Sequence, residues 1–171
     1  MVAQDEFPLH AITQRPMAMY HSWGSQNAWL RQILGRNWLY MHKLRAAPLR
    51  ISDGDWVDVT SHHGTIKVQV KLVEGQNVDT VWTWNAIGKR KGTWGLSPDS
   101  PESEKGFLLN HLISDLLPEK DGGYRYSNSD PVTGQAAWFD LKVRIAKSAD
   151  QTEQSMPQFA PLKNLSKKAR P

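Results

Sequence analysis

A mainly β domain, closed or nearly closed on itself and carrying a few short helices and long loops, is the fold class that this sequence predicts. Three observations carry the expectation. In residues 56–72 Val57 and Val59 share one face against Trp56, Asp58 and Thr60, and then Ile66, Val68, Val70 and Leu72 share one against Lys67, Gln69 and Lys71. That period of two marks a half-buried β-hairpin. Residues 137–147 alternate again, with Phe139, Leu141, Val143 and Ile145 on one side and Asp140, Lys142 and Arg144 on the other. The remaining apolar segments are short and separated by turn residues, and closing such strands into a barrel removes their exposed edges.

In chain order, "EFPLHAI" (6–12) reads as a strand, followed by the irregular, polar "TQRPMAMYHSWGS" (13–25). "SQNAWLRQILG" (25–35) has apolar positions 29, 30, 33 and 34, a helical stripe that Gly35 ends. "NWLYMH" (37–42) is β-like, "KLRAAPL" (43–49) is a turn or single helical turn, and the hairpin then follows an Asp-Gly-Asp turn at 53–55. "NVDTVWTWN" (77–85) is another strand, and "AIGKRKGTWGLSPDSPESE" (86–104) is a long loop. "SEKGFLLNHLISDLLP" (103–118) carries apolar residues at 108, 109, 112, 113, 116 and 117, the spacing of a helix face that Pro118 stops. A second loop (119–135) leads into the last strand, and little fixed structure is expected from Ser148 onward. Loops of this length in a compact domain are functional or disordered.

Composition narrows the chemistry. At 171 residues the chain has room for one domain with a real core, here 1–147, followed by a flexible basic tail at 148–171 holding Lys163, Lys167, Lys168 and Arg170. The net charge is +4, and the final ten residues hold four basic and no acidic side chains, so the rest of the chain is near neutral and lacks the basic face that a nucleic-acid binder needs. The chain has no cysteine, so it can supply no disulfide, thiolate nucleophile, iron–sulfur ligand or cysteine–zinc site. Redox chemistry would have to come from a bound cofactor or another polypeptide segment. No apolar run is long enough to span a bilayer, and Met1–Glu6 shows no secretory signal, so a cytoplasmic location without membrane insertion is expected.

Five stretches, in order, resemble one family: "TQR" at 13–15, "HSWGSQN" at 21–27, "RAAPLRISDGDWV" at 45–57, "NHL" at 110–112 and "DPVTGQ" at 130–135. Together they are similar to the C-terminal domain of the molybdenum or tungsten bis-pyranopterin guanine dinucleotide oxidoreductases, the dimethyl sulfoxide reductase superfamily, over roughly residues 7–147. The third stretch is the most specific: an alanine-bearing turn, then Ile-x-Asp-Gly-Asp-aromatic-Val, then a strand. Two positions depart from the family pattern, which has an acidic residue at Arg45 and a glycine at Arg50. The resemblance implies a double-psi β-barrel that clamps the cofactor from one side. It also implies that the metal ligand, the clusters and the substrate funnel lie elsewhere, in the remaining domains of a larger catalytic polypeptide and in an iron–sulfur electron-transfer partner. The Asp-Gly-Asp turn is read as structural, since a hard cation needs more oxygen ligands than this segment supplies.

A pyranopterin guanine dinucleotide requires cations or N–H donors at its pyrophosphate and amide groups at its ring edges. Arg15 offers a planar fork for phosphate or pterin oxygens, and His21 can donate or shuttle a proton. By family position Thr13, Arg15, His21, Ser22 and Asn27 are expected cofactor contacts, joined by Asn85 at a strand end, Asn110 and His111 on the 103–118 segment, and Gln135 after the last turn. Asn27 has a second reading as a helix cap. "GKRKG" (88–92) lacks Walker spacing and reads as an exposed basic loop, and no histidine set has metal-ligand spacing. The expected function is cofactor binding within a two-electron oxidoreductase, with a hint of sulfur oxyanion chemistry in the 82–92 run. A non-redox peptide- or nucleic-acid-binding barrel is the alternative, and self-cleavage at Gly24-Ser25 a third reading.

Overall fold

A computed structural model describes residues 4–21, 24, 27–85, 87, 107–117, 119, 127–136, 141–151 and 158–159. Within them the strands are β1 (Leu9–Gln14), β2 (Leu39–His42), β3 (Trp56–Thr60), β4 (Gly64–Val73), β5 (Thr80–Trp84), β6 (Lys142–Lys147) and β7 (Gln158–Phe159). The helices are α1 (Ala28–Ile33) and α2 (Lys43–Ala46), with 3₁₀ turns at Ala47–Leu49 and Leu109–Leu112.

The strands run in the order β2-β5-β1-β6-β3-β4, and a further pairing of β2 with β4 closes them into a six-stranded barrel. The pairs β1–β5 and β2–β4 are parallel, while β1–β6, β2–β5, β3–β4 and β3–β6 are antiparallel. This is the double-psi β-barrel expected from the sequence. Its interior is filled by Leu9, Leu39, Met41, Val57, Val59, Ile66, Val68, Val70, Val81 and Val143, all essentially inaccessible to water. The alternation holds: Val57 and Val59 point in, and Lys142 and Arg144 point out. Each fully buried Val or Leu contributes roughly 1.5–3 kcal/mol relative to exposure.

The strand directions define two ends. β1, β3 and β5 run toward one end, here called upper, and β2, β4 and β6 run away from it. At the upper end lie Gln14, Trp84, the β3–β4 hairpin tip and the start of β2. The Asp-Gly-Asp turn, α2 and the C-terminus of β6 lie at the lower end.

Several elements differ from expectation. Of the expected helix at 103–118, the described residues 107–117 hold only a single 3₁₀ turn at Leu109–Leu112, bounded by extended residues Leu108 and Ile113. Its leucines are buried against the barrel, where Ser61 Oγ donates to the Leu112 carbonyl at 2.7 Å. The apolar spacing therefore reports a segment pinned along the rim, without the i→i−4 bonds that a helix requires. α1 is shorter than the 25–35 stripe, because Leu34 leaves helical geometry while its N–H still bonds to the Leu30 carbonyl. β1 extends two residues past its expected end because β5 pairs with it as far as Gln14. Among the few described residues from Ser148 onward, the Ser148 N–H donates to the Trp56 carbonyl, and Gln151 bonds both the N–H and the carbonyl of Trp56. β7 adds to the β4 edge at Gly64 and Thr65. Residues 88–92, Ser25, the 137–140 part of the last expected strand and the four basic residues of the tail fall outside the described residues.

Candidate functional site

The lower end explains the Asp-Gly-Asp turn. Gly54 sits at φ +86°, a conformation costly for any residue with a Cβ. Its N–H donates to the Val70 carbonyl, and the Val70 N–H donates to the Asp55 carbonyl, so the turn is stitched into the side of β4. Asp53 accepts from Lys71 and from the Leu72 N–H, both at 2.7 Å. Asp55 accepts from the Ser52 N–H and from Lys147, each at 2.7 Å. These hydrogen bonds, led by the lysine ammonium in each case, hold both carboxyls below the ordinary carboxylate range. Among the described residues no group of acidic and histidine side chains is arranged to hold a metal ion. The turn is a lock, as its sequence suggests. The two departures from the family pattern lie nearby: Arg45 pairs with Asp79, and Arg50 adopts φ +56°, the left-handed conformation in which a glycine is at ease.

The upper end is built differently. Thr13 continues the inward row of Leu9 and Ala11 to the mouth of β1, beside Thr83 of β5 in register. Arg15, the next residue but one, is exposed and precedes Pro16, which disfavours a helical backbone at Arg15. The chain then makes a top-side excursion, from the end of β1 to the start of β2, that holds His21 and Asn27. His21 is exposed, lies edge-on to Tyr20 with ring centroids 5.3 Å apart, and adopts φ +45°, an unusual state for a residue with a side chain. A Cβ at Gly24 would lie 2.7 Å from Met19 Cγ and 3.0 Å from Leu30 Cδ1, so a larger residue there would have to displace these side chains. Asn27 caps α1, its Oδ1 accepting from the N–H groups of Trp29 and Leu30. Ser22 falls outside the described residues.

Asn85 arrives at the same end from β5, its N–H donating to the Gln14 carbonyl at 2.7 Å. It thus sits beside the residue preceding Arg15, although seventy positions separate Arg15 and Asn85 in sequence. Asn85 Oδ1 is buried and has no hydrogen-bond partner among the described residues. Asn110 and His111 occupy the rim-side 3₁₀ turn, Asn110 exposed and His111 partly covered. From that turn the chain passes under the hairpin tip, where His62 Nε2 meets the Leu116 carbonyl at 3.3 Å. It then pairs through the Leu116–Ser127 bridge with the segment bearing Gln135. Gln135 is exposed and follows a turn organised by Asp130, whose carboxylate accepts from the Thr133 N–H, the Thr133 hydroxyl and the Val132 N–H; these bonds lower its pKa.

Eight of the nine candidate residues are described, and the barrel brings them to the connections of its upper end. One further residue of consequence carries no sequence signal. Asn37, just before β2, is buried and makes five hydrogen bonds. The two hydrogens of its Nδ2 are shared among the carbonyls of Trp84 (2.9 Å), Ile87 (2.9 Å) and Phe107 (3.2 Å), while Oδ1 accepts from the Trp38 N–H (3.0 Å) and the Thr83 hydroxyl (2.8 Å). A single asparagine ahead of a strand has nothing to distinguish it from an ordinary turn residue.

A cysteine-free closed barrel with exposed cations, amides and a buried orphan acceptor gathered at one mouth suits a long, polar, anionic ligand. The chain belongs to the molydopterin dinucleotide binding domain family, which it matches over residues 9–129. It is 54% identical over 160 residues to a sulfite dehydrogenase subunit from Allochromatium vinosum. That match covers 93% of this chain and 16% of the A. vinosum protein. In fold it is similar to acetylene hydratase from Pelobacter acetylenicus, with a TM-score of 0.63 and 20% identity, across 85% of this chain and 19% of that one. The family match holds every candidate residue except Gln135.

Proposed function

We propose that the upper mouth holds a bis-pyranopterin guanine dinucleotide, and that the chain serves as the cofactor-clamping domain of a larger oxidoreductase subunit that oxidises a sulfur oxyanion, with sulfite as the first candidate. The observation that carries the binding reading is the convergence of Arg15 and Asn85 at one rim, with an acceptor on Asn85 left uncommitted. Leaving a buried acceptor without a partner costs about 1–3 kcal/mol, so a ligand N–H that satisfies it adds that much to binding. Pterin and guanine edges both present such N–H groups. Arg15 supplies a fork for phosphate or ring oxygens, and His21, exposed six residues further along the chain, an imidazole N–H. When bound, the molybdenum cofactor supplies the two-electron chemistry; the protein's part is to grip, orient and electrostatically tune it. The substrate reading is supported by the 54% identity to a sulfite dehydrogenase subunit. Because the match spans 16% of that protein, the active metal site, the remaining domains and an iron–sulfur partner subunit belong to the same proposal.

A chimera tests it: the A. vinosum protein with its matching 160-residue segment replaced by this chain. The chimera is expected to co-purify with guanine dinucleotide and to oxidise sulfite with an artificial acceptor, and Arg15→Ala and His21→Ala to lower dinucleotide retention while His62→Ala leaves it unchanged. A folded chimera without dinucleotide, or a His62 effect as large as that of Arg15, contradicts the assignment.

A further inference from the structure

We infer that Asn37 is a positioning residue for the dinucleotide site, acting through Asn85; this rests on the reading that the upper mouth binds the dinucleotide. Its carboxamide holds three backbone carbonyls from two separate stretches of sequence. Two of them, those of Trp84 and Ile87, flank Asn85 on either side, each 2.9 Å from Nδ2. The third belongs to Phe107, so the chain leaving the barrel at Ile87 and the chain returning at Phe107 are tied to the same nitrogen. On its other edge, Oδ1 is locked by the Thr83 hydroxyl and the Trp38 N–H, which leaves the amide no freedom to flip.

Burial matters here. Asn37 is 2% exposed and Thr83 is fully buried, so water is not on hand to replace a lost bond. A hydrophobic residue would take the amide donor away from these carbonyls, and an acid would set a carboxylate oxygen against them. The amide therefore fixes the backbone on both sides of Asn85, whose Oδ1 remains without a described partner. A ligand acceptor held in advance binds more tightly than one that must be ordered on binding. The asparagine sits within the molecule and reaches the ligand only through the residue it positions.

A double-mutant cycle on dinucleotide retention in the chimera tests this, using Asn37→Asp, Asn85→Ala and the two combined. Asn37→Asp preserves the shape and Oδ1 but removes the donor. Each single change is expected to weaken retention about tenfold, the double change to weaken it no further than Asn37→Asp alone, and melting temperature to fall with Asn37→Asp but not with Asn85→Ala. Losses that multiply to about a hundredfold, or full retention in Asn37→Asp, overturn the route through Asn85. If Asn37→Asp does not fold, Thr83→Val, which removes only the hydroxyl that locks Oδ1, goes through the same cycle with a smaller loss, and the same pattern decides. A parent chimera lacking dinucleotide overturns the functional reading instead. The clamp is then judged by amide hydrogen exchange at Asn85 in the 171-residue chain: faster exchange in Thr83→Val supports it, and unchanged exchange overturns it.

Discussion

The two ends of the barrel are made from similar materials and arranged to opposite effect. At the lower end charge is matched internally: Asp53 is met by Lys71, Asp55 by Lys147, Lys43 by Glu74 and Arg45 by Asp79. At the upper end Arg15 and His21 are exposed, Asn110 and Gln135 face solvent, and Asn85 keeps a buried acceptor unmatched among the described residues. The carboxylates of the lower end find partners within the chain, although Arg45 Nε and Gln76 Oε1 there are, like Asn85 Oδ1, buried without a described partner; exposed groups on loops over a rigid scaffold are where ligands are met. The aspartates that look most chemical in the sequence are thus committed to holding the turn.

Substitutions at the two ends should separate binding from stability. The largest effect is expected at Arg15: in the chimera Arg15→Ala should weaken dinucleotide retention by tenfold or more, the scale of a charge-assisted hydrogen bond worth about 1.5–3 kcal/mol, with the melting temperature of the isolated chain unchanged. Asp55→Ala should do the reverse. Loss of its bonds to the Ser52 N–H and Lys147 should lower stability by about 1–2 kcal/mol by denaturant titration, leaving retention by the folded fraction intact. Comparable losses of retention from both changes would erase the distinction between the ends.

The acid limb of stability sharpens the contrast further. Asp53 and Asp55 have pKa values below those of the unfolded chain, so the unfolded state binds protons first as pH falls. Their contribution is complete above about pH 4 and drains away as pH drops through their lowered folded values. Asp53→Asn combined with Asp55→Asn should flatten that decline in a pH series of urea titrations. The smallest effect is expected at Arg50, whose left-handed backbone suits glycine: Arg50→Gly should raise stability by about 0.5–1 kcal/mol.

Much of this is legible from residues alone. Period-two alternation locates β3, β4 and β6, since half-buried strands write their geometry directly into polarity. The Asp-Gly-Asp turn and its family stretch point to the fold, and the order of the polar stretches supplies candidates that the barrel then carries to one end. What stays hidden depends on contacts across long separations. Leu109 and Leu112 are spaced as on a helix, but they bury against a barrel rim that local pattern cannot represent. Asn37 bonds to residues 46 to 70 positions away, so nothing near it announces its role. Asn27 shows the converse: its capping oxygen is committed locally to Trp29 and Leu30, as the sequence allows.

Backbone amide exchange in the chimera, compared between cofactor-loaded protein and protein made in cells unable to synthesise the dinucleotide, asks most plainly which end of the barrel meets the ligand. Loading should slow exchange at residues 13–21, at Asn85 and at 107–112, and leave residues 52–58 untouched. Slowing confined to 52–58, or none at the upper mouth of a loaded protein, would contradict the assignment.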